Sequence, residues 1–438
     1  MATQALVPSS KNRILRVGIL GYGTVGSGAY RMLEDNREAI TEKVGMAMEV
    51  VRIGIKDPDK PRGLPGDLFT TDLASIVDDT SVDVVLELIG GVSPAMELVE
   101  RALENGKHVV TANKELMAKE GGRLVQFAKS KGLDLHYEAA VGGGIPIVQP
   151  LKHQLAGNDL IKMMGILNGT TNYILTKMSR EEADFDAVLA EAQAKGYAES
   201  DPTNDVDGFD TAYKVAILAS IASGKQVPLE GVYREGIRGI TKEDIHFADV
   251  LGYSIKLLGI VEPLARDRLM VRVHPTLIPK THQLASVGDV YNALWVHGDF
   301  VGDLMFSGRG AGSDPTASAV IGDLMDVARN VAAGGQGSAI PWEGVIETEP
   351  IDSLETEYYL RLIVKDRPKV LGQLAMIFGE YEVSLAAMEM RVLDPVANLG
   401  EIVFLTHTCR EGNFRKALAE IGKTDIVERF CNWIRVES

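Results

Sequence analysis

Between Ala192 and Lys214 the chain reads AQAKGYAESDPTNDVDGFDTAYK, in which five carboxylates, two glycines and a proline lead to one lysine at the mouth of an apolar helix. Runs of Asp and Glu are commonly solvated loops, so charge alone points nowhere. Order says more. Gly196, Pro202 and Gly208 prescribe loop shape, Asp210 and Lys214 stand four apart and so share one helical face, and KVAILASIAS continues as a buried helix that would hold the lysine in place. A lysine kept beside a carboxylate stays protonated and oriented, while partial desolvation lowers its pKa, and the two effects oppose each other. This is the pattern of a catalytic acid.

Such a residue needs a frame, and the first third of the chain supplies one. Strand-like and helix-like periods alternate there, the pattern of a parallel sheet with covering helices. Ile14 to Leu20 (ILRVGIL) is a short apolar run of the kind buried on both faces, and GYGTVG follows it directly, opening a helix to about Asn36. In that context Gly21 permits the tight turn and Gly23 lets backbone approach a pyrophosphate. Gly26 allows close packing of helix on strand, and the helix N-terminus, with Thr24 and Val25, presents N–H groups to the anion. A dinucleotide site is expected.

Further strands are expected at 50–55, 83–90, 108–113 and 134–139. Ligands in open parallel sheets bind at the carboxyl ends of strands, which places Gly90, Thr111, Asn113 and Lys114 at the ligand edge. An exposed lysine opening a helix is the plain reading of Lys114, but its place at that edge gives it a functional one. After the second strand come Lys56, Asp57, Asp59, Lys60 and Arg62 together. An acid there favours NAD and a cation favours NADP. Lys56 and Arg62 tilt the balance slightly toward NADP, with dual use open.

EAAVGGGIPIVQPL, from Glu138, is where the chain is expected to leave the nucleotide domain. Gly142 to Gly144 expose carbonyls in a bend that either serves as a hinge or, with one carboxylate, holds a hard monovalent cation. Beyond it, MMGILNGTTNYIL is an apolar strand breaking at Asn168, Gly169, Thr170 and Thr171 into a helix. That polar elbow can touch a small hydroxylated ligand or simply cap the helix, and the two roles can coexist. A last glycine cluster near Gly308, GRGAGSDPTASAVIG, leads into another helix.

The spacing A-x3-G-Y-A-x-x-D-P-x-x-D-V-x-G-x-D-x3-K, together with TANK before Glu115, resembles the homoserine dehydrogenases. That resemblance implies reversible hydride transfer between NAD(P)H and C4 of L-aspartate 4-semialdehyde, giving L-homoserine in threonine, methionine and isoleucine biosynthesis. It implies Lys214 as proton donor and Lys114 as a substrate-orienting or proton-relay partner. Glu199 and Asp210 would contact the substrate amino group and hydroxyl, with Gly196 and Thr170 beside the substrate. Gly310 and Gly312 would lie near the cofactor where the chain returns to the nucleotide domain. A sodium site would use Glu138, Val141, Gly143 and Ile145. Reduction of an aldehyde needs a hydride donor, a proton donor and anchors for the amino acid end, and with no Ser-His-Asp set or metal cluster in evidence the lysines are the best acids available.

Residues beyond about 355 read strand, helix, strand, strand, helix, strand, and resemble an ACT-type regulatory domain of ferredoxin-like order. Its ligand turn would be Asp366, Arg367, Pro368, Lys369, Val370 and Leu371, with Lys369 where the family favours glycine. The resemblance suggests L-threonine as effector and a homodimer or homotetramer. The fold class expected is thus α/β: a Rossmann-type doubly wound sheet over 13–140, completed by about 310–345; an α+β substrate and dimerisation domain over 141–309; and the ACT-type unit over 355–438.

Bulk properties narrow the alternatives. A 438-residue chain that is 45% hydrophobic and 6% aromatic can build two or three sizeable cores. Its formal charge of -16 would repel phosphate backbones, so nucleic acid is not an expected partner. Cys409 and Cys431 are expected as free thiols, without a disulfide framework or zinc spacing. MATQALVPSSKNR has no apolar leader pattern and no run suits a bilayer, so no membrane is expected and the cytoplasm is. Two other readings share these features: a different amino acid dehydrogenase lacking the Asp-Pro to Lys segment, and a non-catalytic amino acid sensor. Intact Lys114, Glu199, Asp210 and Lys214 weigh against the sensor.

Overall fold

The computed structural model describes residues 14–437 apart from Arg266, Gln336, Ser338, Ala339 and Pro341; the leader reading of Met1 to Arg13 lies outside the described residues. Two compact units are present. The first comprises the chain up to Asp159 with Ala216–Leu229 and Phe306–Ile346, and the second comprises Leu160–Val215, Glu230–Met305 and Glu347 onward. The sequence reading broke the nucleotide domain at 140, whereas by packing the first unit runs on to Asp159.

The first unit holds a six-stranded parallel sheet in the order Phe69–Thr70, Ala47–Gly54, Ile14–Leu20, Val84–Glu87, His108–Thr111, Leu135–His136. Strand order therefore reverses beside Ile14–Leu20, the crevice where dinucleotides bind in such sheets. Leu15, Val17 and Ile19 of that strand are fully buried and join one core with Ala317, Val320, Ile321 and Leu324 of the late helix Ser313–Ala332. That helix lies against Thr24–Asp35 so closely that a Cβ on Gly28 would meet Ser313 Oγ at 2.5 Å.

In the second unit one mixed sheet runs Tyr291–Gly298, Leu160–Ile166, Tyr253–Ala265, Arg268–Pro279, Val427–Val436, Glu355–Lys365, Leu399–Thr406, Leu385–Asp394. Its last four strands, with helices Val370–Glu380 and Glu411–Ile421, make the βαββαβ module. The join is a short parallel pairing of Thr276 with Arg435 and Leu277 with Val436. Buried ion pairs reinforce it, because the fully buried Arg272 guanidinium meets Glu437 at 2.5 Å and Lys162 also bonds Glu437. The module shares its neighbour's sheet and is not a bead on a linker. Both cysteines are free, and among the described residues no helix is long and apolar enough to cross a membrane.

Candidate active site

The glycine loop has the geometry its spacing predicts. Gly21 sits at φ +102°, and a Cβ there would strike Leu88 O at 2.8 Å; at Gly26 it would lie 2.0 Å from Gly21 O. Space around Gly23 is open, with nothing within 4 Å of an added Cβ. Thr24 opens the helix Thr24–Asp35, whose N-cap Gly23 offers no side chain to its first N–H groups. A bare helix start beside an uncovered glycine is suited to an anion, and the fit to a dinucleotide pyrophosphate is good.

Next along the sheet edge, a buried carboxylate ties two strand ends together. Glu87 is fully buried and accepts from Thr111 Oγ1 at 2.6 Å and from the N–H groups of Ile89 and Gly90 at 3.0 and 3.3 Å. Burial raises its pKa, and these donors oppose that rise. Asn113 extends the set: its amide donates to Gly91 O at 2.6 Å and its Oδ1 caps Leu116 N–H. Gly90 stands at φ +72° with open space about it. Thr111 is thus a buried brace and Gly90 an exposed turn, and Lys114 is the half-buried first residue of the helix Lys114–Lys131.

In the second unit the strand Leu160–Ile166 breaks at Leu167 and Asn168, and the helix Gly169–Glu181 begins. Asn168 is the N-cap, its Oδ1 accepting from Thr171 N–H at 2.8 Å. Its Nδ2 reaches two carboxylates, Asp205 Oδ1 at 2.7 Å and Asp210 Oδ2 at 2.9 Å. The helix Phe209–Ser223 carries Asp210 and Lys214 one turn apart, and Lys214 Nζ donates to Asp210 Oδ2 and to Leu167 O, both at 2.7 Å. Lys214 is 8% exposed and Asp210 5%. A carbonyl, a carboxylate and an amide therefore fix the ammonium in place. Thr170 donates to Tyr197 O at 2.7 Å, Gly196 turns at φ +74°, and Glu199 is exposed. The reading from sequence placed Asn168 at the elbow but missed its hold on Asp205 and Asp210, which lie 37 and 42 residues away.

Comparison with known proteins decides what chemistry this frame serves. The homoserine dehydrogenase family model matches residues 146–325, its NAD-binding domain matches 21–138, and the ACT domain matches 358–425. A protein named homoserine dehydrogenase from Synechocystis is 45% identical over 438 residues, covering 97% of this chain and 100% of its own. The chain belongs to the homoserine dehydrogenase family. The Bacillus subtilis homoserine dehydrogenase is 41% identical over 97% of the chain and 99% of its own. The crystal structure of the Thiobacillus denitrificans homoserine dehydrogenase superposes with a TM-score of 0.92 at 43% identity, over 97% of this chain and 99% of that one. The chain is accordingly an NAD(P)-dependent oxidoreductase of homoserine dehydrogenase type, with a Rossmann-type domain and a C-terminal ACT domain.

A cavity of about 530 Å³ after the second strand is lined by Lys60, Arg62, Phe69 and Thr70, and Lys56 is not among its lining residues. Arg62 bonds the Asp57 and Lys60 carbonyls at 2.5 and 2.6 Å, and its buried Nε has no partner. Glu138 is buried, and its carboxylate accepts the N–H groups of Ile147, Val148 and Gln149 at 2.6, 2.8 and 2.7 Å. Three bonds leave about one lone-pair site of that carboxylate. Gly142 and Gly143 turn at φ +76° and +56°, and a Cβ on Gly143 would lie 2.4 Å from Gly310 O. Gly312, at φ +117°, is the N-cap of Ser313–Ala332. The remaining lone-pair site of the Glu138 carboxylate and the backbone carbonyls of the glycine bend that follows it are hard oxygen donors, the chemistry that suits an alkali cation.

In the ACT turn, Asp366 N–H donates to Asn398 O at 2.7 Å and Arg367 meets Asp425 at 2.7 Å. Lys369 takes φ +79° as N-cap of Val370–Glu380, the left-handed conformation for which the family's glycine is the natural residue. Val370 is buried and Leu371 is 39% exposed.

Proposed function

We propose that the protein reduces L-aspartate 4-semialdehyde reversibly to L-homoserine with Lys214 as the proton donor. The observation that carries this role is the buried lysine fixed by Asp210 Oδ2 and Leu167 O at 2.7 Å each. When bound, the nicotinamide cofactor supplies the hydride that adds to C4 of the aldehyde. The carbonyl oxygen, gaining negative charge, takes a proton from Lys214 Nζ, and in the reverse direction Lys214 accepts it back. Asp210 keeps the ammonium charged and aimed between turnovers, and Glu199 contacts the substrate amino group. Lys114, at the ligand edge of the parallel sheet, orients the substrate or relays the proton.

NADP is favoured slightly over NAD, since Lys60 and Arg62 line the cavity after the second strand and Arg62 Nε lacks a partner there. A sodium ion on Glu138, Val141, Gly143 and Ile145 would stiffen the glycine bend. Threonine feedback through the ACT domain and assembly into a homodimer or homotetramer complete the reading. Self-association is supported by the edge strand Leu385–Asp394, on which Met388, Met390 and Val392 are 44%, 39% and 60% exposed.

The test is steady-state reduction of aspartate 4-semialdehyde followed by NADPH absorbance. Lys214→Ala should lower kcat by about 10²-fold or more with NADPH affinity unchanged. A variant with near wild-type kcat at neutral pH would refute the assignment.

A further inference from the structure

Lys256, in the strand Tyr253–Ala265, is a buried cation whose hydrogen bonds include none to a carboxylate. It is 5% exposed, and its Nζ bonds only uncharged oxygens, Val287 O at 2.6 Å and Asn172 Oδ1 at 3.3 Å. Burial, then the charge of Arg180, pushes its pKa down to about 8, against the opposing pull of the Asp289 carboxylate. A buried ammonium whose hydrogen bonds all go to neutral oxygens is costly, and such charges are normally paired directly.

The missing partner has room to bind. Lys256 lines a cavity of about 150 Å³ together with Arg180, Asp249, Thr176, Ser254 and Ser286. Arg180 also meets Asp289 at 2.9 Å and Asp249 also meets Lys280 at 2.5 Å, both pairs being partly exposed, so a ligand would share these groups with their present partners. The two cations suit a carboxylate, the acid an ammonium, and the hydroxyls a polar side chain. The cavity volume admits a molecule of only a few heavy atoms beyond the amino acid backbone. We propose that this cavity is a binding site for a small free amino acid, with its carboxylate on Lys256 and Arg180 and its ammonium toward Asp249. The lining shares no residue with the catalytic lysine or the ACT turn.

Its floor is wired to the elbow that holds Lys214. Asn168, Asn172 and Thr176 recur every four residues along Gly169–Glu181 and so share one face. Asn172 Nδ2 donates to Val287, Asp289 and Tyr291 carbonyls at 3.2, 3.1 and 3.0 Å, and Thr176 Oγ1 accepts Asp289 N–H at 3.2 Å. Occupancy beside Lys256 therefore bears on the helix whose first turn caps the acid.

Calorimetry on the full chain tests the proposal with L-serine, L-threonine, acetate and sulfate as probes, in wild type, Lys256→Met and Arg180→Gln. Lys256→Met keeps length and apolar volume, and Arg180 is 64% exposed, so its variant tests the site should the first fold poorly. The result expected is binding of at least one amino acid by wild type, weakened at least tenfold in each variant that folds. Absence of amino acid binding overturns the proposal, as does equal affinity in wild type and variants, which would put the ligand elsewhere. Binding of sulfate or acetate alone overturns it too, since the acid and hydroxyls of the wall would then have no part.

Discussion

Replacing Asn168 with aspartate changes one NH2 into an oxygen and almost nothing in shape. Oδ1 still accepts from Thr171 N–H, so the helix cap survives. What disappears is the donor to Asp205 at 2.7 Å and to Asp210 at 2.9 Å, and three carboxylates then face one another. Hydrogen bonds to charged groups contribute about 1.5–3 kcal/mol each. If relaxation and water recover about half of the two bonds, about 1.5–3 kcal/mol remains, or roughly a 10- to 10²-fold fall in kcat/KM. The added negative charge also favours the protonated forms of Asp210 and Lys214, so the pH–rate profile moves to higher pH. Asn168→Ala is the companion variant, since it loses the cap as well and should cost about 1 kcal/mol of stability beyond its kinetic effect. Steady-state kinetics across pH, with a urea melt of each variant, separate the two. Wild-type kcat/KM and an unshifted profile in Asn168→Asp would mean that Asp210 and Lys214 hold their geometry without the amide.

Lys60→Ala with Arg62→Ala should weaken NADPH relative to NADH by about tenfold; equal effects on the two dissociation constants would show that these cations serve the loop and not a 2′-phosphate. Lys369→Gly should stabilise the protein by about 1 kcal/mol, because φ +79° strains any residue with a Cβ, and an unchanged urea midpoint would contradict that strain. Asp323 is buried and its pKa rises from 3.8 to about 6, chiefly by desolvation. Its folded form holds the proton more tightly, so this contribution to stability is full below pH 3.8 and is lost as pH rises through about 6. Asp323→Asn should erase a difference of about 3 kcal/mol between those limits, read as the gap between variant and wild-type unfolding curves.

The parts legible in the sequence are those fixed by local chemistry. Gly21, Gly23 and Gly26 follow a strand and open a helix, and the turn they require is the turn observed. Asp210 and Lys214 are neighbours because helical pitch makes them so. Less was legible where chain distant in sequence converges. Asn168 gave no sign that its amide would reach Asp205, since only the folded loop brings them together. Glu138 suggested a ligand carboxylate, but three backbone N–H groups nine to eleven residues on also draw on it. Nor did any local pattern reveal the pairing of Leu277 with Val436, because strand partnership is a property of the whole sheet.

That pairing sets a limit on modular exchange. A regulatory cassette can be moved between proteins when it hangs by a linker, because each side keeps its own hydrogen bonds. Here the graft junction would run through a sheet. A donor module arriving without its own version of the strand Arg268–Pro279 would leave Arg272, fully buried, facing the place where Glu437 had been. Inheritance of the module must therefore carry Lys162, Arg272 and Glu437 as a set, since a chimera that splits the three leaves the buried Arg272 with Glu262 alone and Lys162 without its module partner.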